Sequence, residues 1–249
     1  MSAQPVLEPF AAASCEDVQL SLLGGFGLRV DGVRVELPHS AQRLISFQAL
    51  QPRVQLRRVF VAGSLWTEAS EAQANSSLRS ALWRVQARVH LVEATGTQLA
   101  LEPWVRDDLA PLTALTGRLT GEASPPSRAE VLALTHAGDL LPDWYDDWLI
   151  VERERVRQRR LHALEAACRS LTAAGRYADA LDAGLAAIAV EPLRETGHVV
   201  VIEAHLAEGN LIEASRQYEQ LRDLVRQHLG THPSARVRDL LRDAHVTLA

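Results

Sequence analysis

The sequence predicts a mainly α-helical protein in two parts, a small mixed α+β front part and an all-helical rear part. Three observations carry this. Strand-like alternation of apolar and polar residues is confined to two short stretches in the first part of the chain, 18–37 and 91–105. Between them apolar residues recur at helical spacing in three short runs. Behind them the chain repeats itself at a fixed period and shows no strand-like stretch.

The elements follow in order. Leu28, Val30, Val33, Val35 and Leu37 alternate with polar residues around Asp31-Gly32, a hairpin-turn pair, so a small β-meander is expected. A helix over HSAQRLISFQAL follows Pro38, with Ser40 as its expected N-cap and Leu44, Ile45 and Leu50 on its apolar side. LRRVFVAGSLW supplies a second short helix, and Ala72 to Val89 a third, capped near Ser70. LVEATGTQLALEPWV then reads as two strands turning at Thr95-Gly96-Thr97. Strands, three short helices and a closing hairpin are the order of a winged helix-turn-helix, whose third helix enters the major groove and whose hairpin is the wing.

TGRLTGEASPPSRAE, with Pro125-Pro126 at its middle, is the expected linker or loop. Beyond it, AAGRYADALDAG and AEGNLIEASRQY align with Gly175 over Gly209, Tyr177 over Leu211 and Ala180 over Ala214. Each offset is 34 residues (209 − 175, 211 − 177, 214 − 180). That is the tetratricopeptide period, in which Gly relieves the interhelical turn and Ala allows close helix approach. Pro192 ends the second helix of the first unit, whereas the next proline is Pro233, so the later helix is expected to be about two turns longer. The expected domains are a flexible lead over 1–17, a winged-helix DNA-binding domain over 18–106 and a helical repeat domain over 107–249.

Charge divides along the same line. Every one of the 26 basic residues is arginine. Residues 18–106 carry ten Arg against six acids, or +4, and residues 107–249 carry 16 Arg against 22 acids, or −6. The first 17 residues add −3, which completes the net charge of −5. A basic front part points to a polyanion partner for that part alone. Without lysine there is no phosphate-binding P-loop and no Schiff-base chemistry. No apolar run is long enough for a membrane span, and the N-terminus lacks the basic start of a signal peptide. Cys15 and Cys168 fall at no metal-ligand spacing, which fits a reducing cytoplasm.

The third helix has two dissimilar sides. At 100° per residue, Leu82, Val85 and Val89 fall within about 40° of Leu78 and form the core stripe. Ser76, Ser80 and Trp83 lie opposite, with Gln73 and Arg84 beside them, and Arg79 and Arg88 flank the stripe. These residues, with Asn75, are the expected DNA-reading set, since arginine, amide and hydroxyl groups match phosphate oxygens and base edges. Trp83 has two readings, groove contact or packing against the wing. Arg43 on the first helix and Arg57 and Arg58 at the start of the second are expected on phosphates, and Thr95 and Thr97 at the wing tip on backbone or minor groove. The alternative for the third helix is an ordinary solvated face, and for Arg43, Arg57 and Arg58 it is solvation or pairing with Glu68 or Glu71.

VERERVRQRR, with five Arg and two Glu, reads as a solvated helix face with local ion pairs, with a polyanion site as the alternative. Asp143, Asp146 and Asp147 form the one carboxylate cluster. Lying just before a long helix and beside Trp144 and Trp148, they read as caps and packing partners rather than a metal or acid–base site. No arrangement of nucleophile, base and orienting group appears, so the chain is not expected to be an enzyme or to need a cofactor.

LLGGFGLRVDGVRVELPHSAQRLISFQAL, LWTEASEAQANSSLRSALWRVQ and GDLLPDWYDDWLIVERERVR together resemble the bacterial transcriptional activator domain family, of the Streptomyces antibiotic regulatory protein type, across about 18–240. Two departures stand out, the glycine-free loop QPRVQLRR and Gln48 within a run that is more apolar in the family. The resemblance implies an OmpR-like winged helix ahead of a helical repeat domain. It further implies binding to direct repeats near promoters as a head-to-tail dimer, and contact with RNA polymerase through its sigma factor. Larger members add an ATPase domain, and this chain is expected to be a small stand-alone member. The competing expectation is a repeat-type interaction scaffold without DNA binding.

Overall fold

The computed structural model describes residues 17–51, 55–121 and 124–243. The expected lead over 1–17 lies almost wholly outside them. Alternation drives the opening strands: in β1 (Val18–Ser21) Val18 and Leu20 are buried while Gln19 and Ser21 face solvent. It pairs antiparallel with β2 (Gly27–Val30), Val18 opposite Val30, and β2 pairs in turn with β3 (Val33–Arg34). The connecting residues Asp31 and Gly32 both have positive φ, at 49° and 77°, which a two-residue hairpin turn of primed type requires. A short strand that the sequence reading did not separate, β7 (Val105–Asp107), pairs parallel to β1 and closes the sheet in the order β3-β2-β1-β7.

α1 (His39–Leu50) starts on Pro38, not on Ser40. Pro38 has the fixed φ of −60° and no side-chain cap, whereas the Ser40 hydroxyl accepts a bond from Arg84 Nη1 at 2.9 Å. Gln48, the departure from the apolar run, is buried, and neither amide atom finds a hydrogen-bond partner among the described residues. α2 (Arg58–Leu65) follows directly on β4 (Leu56–Arg57), an unforeseen two-residue strand that pairs with the hairpin. α3 (Glu71–Gln86) has the expected start at Ser70, in a reciprocal capping box with Gln73. β5 (Val92–Thr95) and β6 (Gln98–Leu101) form the hairpin, with Thr95 opposite Gln98 and Gly96 at φ 57° in the turn.

The remainder is helical: α4 (Leu109–Gly121), α5 (Arg128–His136), α6 (Asp147–Ala173), α7 (Tyr177–Val190), α8 (Glu195–Glu208), α9 (Leu211–Leu229) and α10 (Ala235–Asp243). The linker is shorter than expected, because Thr116 to Gly121 complete α4 and a second capping box, Ser127 with Glu130, opens α5. The 34-residue repeat is the helix pairs α6–α7 and α8–α9. Gly175 and Gly209 turn at φ 72° and 87°, and Ala180 and Ala214 are fully buried. α9 exceeds α7 by five residues (19 − 14), about 1.4 turns rather than two, because Gly230 at φ 64° ends it before Pro233 is reached.

Among the described residues, 17–109 together with Leu141–Trp148 form one unit, and Ala110–Leu140 with 149–243 form the other. The linear boundary at 106/107 did not foresee that return, and its side chains explain it. Trp144 stacks on Phe26 with centroids 6.1 Å apart and meets His39 edge-on at 4.9 Å. Trp148 meets Phe47 edge-on at 5.3 Å. Leu141 N–H donates to Leu22 O at 2.9 Å, and Asp146 pairs with Arg43 at 2.6 Å. Within the carboxylate cluster, Asp146 also accepts from Trp148 Nε1 at 3.2 Å, and Asp147 lies in the first turn of α6. Among the described residues no group of three or more His, Cys, Asp or Glu is placed to hold a metal ion.

Candidate nucleic-acid interface

α3 separates its two sides as its periodicity requires. Ala74, Leu78, Ala81, Leu82 and Val85 are buried, as is Val89 beyond the helix end. Burying such a stripe stabilises by about 1.5–3 kcal/mol for each large side chain, which fixes the rotation of the helix and so decides what faces solvent. Facing solvent are Gln73, Ser76, Arg79, Ser80, Trp83, Arg84 and Arg88, while Asn75 is half-buried at the edge of that face. Trp83 is 70% exposed, which removes the reading in which it packs against the wing. Arg79 and Arg88 make no ion pair among the described residues.

The individual groups differ in freedom. Gln73 Oε1 is held by Ser70 N–H at 3.2 Å, so its amide is fixed at the helix start. Arg84 is exposed but tethered to the Ser40 hydroxyl, which ties the last turn of α3 to the first turn of α1. Arg58 N–H donates to Thr97 O at 2.8 Å, and its guanidinium points to Gly96 O at 3.5 Å, so one positive charge stands against the hairpin turn. Thr95 and Thr97 are exposed there, Thr95 donating to Glu93 at 3.0 Å. Arg57 is exposed on β4.

Arg43 is turned the other way. Its Nη2 reaches Asp146 at 2.6 Å and Leu65 O at 2.5 Å, its guanidinium lies 5.9 Å from the Trp66 ring centroid, and its side chain is 19% exposed. The carboxylate on the returning segment claims the charge, so Arg43 leaves the set of phosphate-binding candidates. A distance of about 100 residues in the chain hid that partner from the sequence.

Two exposed apolar side chains were missed. Val59 is 59% exposed and Phe60 53%, both on the first turn of α2 beside Arg57 and Arg58. Periodicity held the signal. With Val61 and Leu65 in the core, Phe60 lies roughly 100° and Val59 roughly 160° around the helix. Together the exposed groups of α3, the start of α2 and the hairpin turn offer guanidinium, hydroxyl and indole surfaces, the chemistry used on phosphates and base edges.

Residues 126–243 match the Bacterial transcriptional activator domain. A comparison with curated proteins found no match. Among solved structures, the chain is similar to Mycobacterium tuberculosis EmbR in complex with a low-affinity phosphopeptide, with a TM-score of 0.68 and 17% identity. The likeness covers 93% of this chain and 66% of that one, and it shows a shared fold of small front sheet and rear helices.

Proposed function

From a chain that carries a bacterial transcriptional activator domain, a family of transcription regulators, we propose a sequence-specific DNA-binding regulator that activates transcription in the cytoplasm. α3 enters the major groove with Ser76, Ser80, Trp83 and Arg84 at the centre of the reading face, and the long side chains of Arg79 and Arg88 reach in from its two margins. Arg57, Arg58, Thr95 and Thr97 hold the backbone. Two copies occupy direct repeats as a homodimer on DNA, and the helical repeat unit contacts RNA polymerase through its sigma factor.

The observation that carries this reading is the 70% exposed Trp83 between Arg79 and Arg88 on a helix whose opposite side is wholly buried. An exposed indole costs solvation and gives nothing to the core, whereas against a duplex it meets thymine methyl groups and base edges. Arginine at Arg79 or Arg88 offers a bidentate fit to guanine, worth about 1–3 kcal/mol of discrimination.

Selection of bound fragments from randomised duplex DNA tests the proposal. The expected result is an enriched motif in two direct copies, bound more weakly as salt rises. If a gel shift at low salt shows no retardation of any duplex at micromolar protein, the DNA-binding reading fails and the repeat-scaffold reading takes its place.

A further inference from the structure

The helical repeat unit holds a cavity of about 350 Å³ where the turn after α5 meets the middle of α6 and the end of α7. Ala186, Ala189 and Val190 give it a small apolar wall, and Ala137 and Gly138 keep the turn beside it low. Two arginines of α6 line it, and they are not equivalent. Arg157 is neutralised twice, by Glu154 at 2.9 Å and by Glu191. Arg160 is only 8% exposed, with Nε donating to Leu134 O at 2.9 Å and Nη2 to Thr135 O at 3.0 Å. Both acceptors are neutral carbonyls at the end of α5. The third nitrogen, Nη1, makes no hydrogen bond among the described residues. Its nearest carboxylate, Asp139, stands 3.9 Å off on a side chain that is 64% exposed. That spacing is too long for a direct bond.

A buried guanidinium with one free edge and a distant, solvated counter-charge is an unfinished ion pair. We infer that this cavity binds a small organic carboxylate, whose charged end meets Nη1 of Arg160 and whose short apolar body lies along Ala186, Ala189 and Val190. The volume is at the low end for ligand pockets, so the molecule is small. One free guanidinium nitrogen suits a carboxylate better than phosphate, which needs several donors, and Asp139 at the opening repels a dianion. Burial also lowers the proton affinity of Arg160 from its usual value, and the distant Asp139 offsets that only in part. The bound molecule would lie between α6 and α7, the two helices of the first repeat. The inference does not rest on DNA binding and is tested without DNA.

The test is calorimetric titration of the full chain with acetate, butyrate and hexanoate, against hexan-1-ol and inorganic phosphate as controls. Saturable binding that strengthens from acetate to hexanoate is expected. The alcohol should bind on the order of tenfold or more weakly, because it lacks the charge-assisted bond to Arg160. Ala189→Leu, which fills the apolar wall at an exposed helix position, should abolish hexanoate binding with the thermal melt retained. Asp139→Asn removes the competing carboxylate and should tighten it several-fold, which keeps the test decisive if Ala189→Leu fails to fold. The inference is overturned if no carboxylate saturates, if hexan-1-ol or phosphate binds as well as hexanoate, or if either variant folds and binds hexanoate with unchanged affinity.

Discussion

At Gly184 α7 lies close against α6 and α8, and replacing this glycine with alanine sets two effects of opposite sign against each other. In an isolated helix Gly→Ala stabilises by about 0.8–1 kcal/mol. Here the added Cβ would stand 2.6 Å from Val201 Cγ2 on α8 and 3.1 Å from Cys168 Sγ on α6. Val201 and Cys168 are both fully buried, so neither can swing into solvent. Relieving the first contact to an ordinary distance needs a shift of close to 1 Å, and overpacking of that kind costs about 1–3 kcal/mol. The clash outweighs the propensity gain, and Gly184→Ala should destabilise by about 1 kcal/mol, lowering Tm by about 2–4 °C for a chain of this size. Thermal melts followed by helical circular dichroism, with urea titrations beside them, measure this. In a Val201→Ala background the nearer obstruction is gone and only the 3.1 Å approach to Cys168 Sγ remains, so the same substitution should cost clearly less than in the unaltered chain. A rise in Tm for Gly184→Ala in the unaltered chain would refute the claim that the repeat helices are in contact at that glycine.

Other expectations follow from the same geometry. Asp146→Asn should destabilise the front unit by roughly 2 kcal/mol, below the ~3–5 kcal/mol of a fully buried pair because Arg43 and Asp146 keep 19% and 12% exposure, and differential scanning calorimetry reads it. His198 is buried, with Nε2 bonded to Pro192 O at 2.9 Å and Gln217 Nε2 donating to Nδ1 at 2.7 Å, so the neutral ring has both nitrogens satisfied. Burial holds its pKa below the ordinary 6.5, so the unfolded chain takes up its proton first. Stability from this group is therefore complete above about pH 6.5 and declines as pH falls below it. Urea midpoints from pH 7.5 to 5 should fall for the unaltered chain more steeply than for His198→Gln. Burial also pushes the Cys168 thiol up to about 12, so in a Cys15→Ser chain its reaction with a thiol reagent should follow unfolding rather than precede it. Failure of Cys168 to be protected would show that the interior around Gly184 opens in the native state.

Local chemistry was the readable part of this chain. The Asp31-Gly32 turn, the Ser70 start of α3, its buried stripe and the Gly175/Gly209 repeat all act over a few residues, and each left a pattern in the sequence. What escaped was contact at long range or in very short pieces. β7 and β4 are three and two residues long, too brief for alternation to register, and exist because Val18 and Leu99 pair with them across the chain. Ser40 has the chemistry of a cap, yet Pro38 ends the extended segment first and the hydroxyl goes to Arg84. Arg43 resembles a phosphate ligand until Asp146 returns to meet it. The run VERERVRQRR was legible as a face of i, i+3 pairs, Arg155 with Glu152 at 2.6 Å and Arg157 with Glu154, but not as the source of a buried arginine, Arg160. That burial comes from the carbonyls at the end of α5, which no spacing within α6 encodes.

The proposed function requires that the solvent side of α3 meet a duplex. Binding of the full chain to its selected operator should be measured by fluorescence anisotropy across a range of salt, for the unaltered protein and for Arg79→Ala/Arg88→Ala. If both arginines engage the DNA, the double variant keeps its melt but loses affinity, by about 1–3 kcal/mol for each base contact or about 0.9 in the slope of log K against log salt for each phosphate contact. Equal affinity and equal slope in a folded double variant would contradict it.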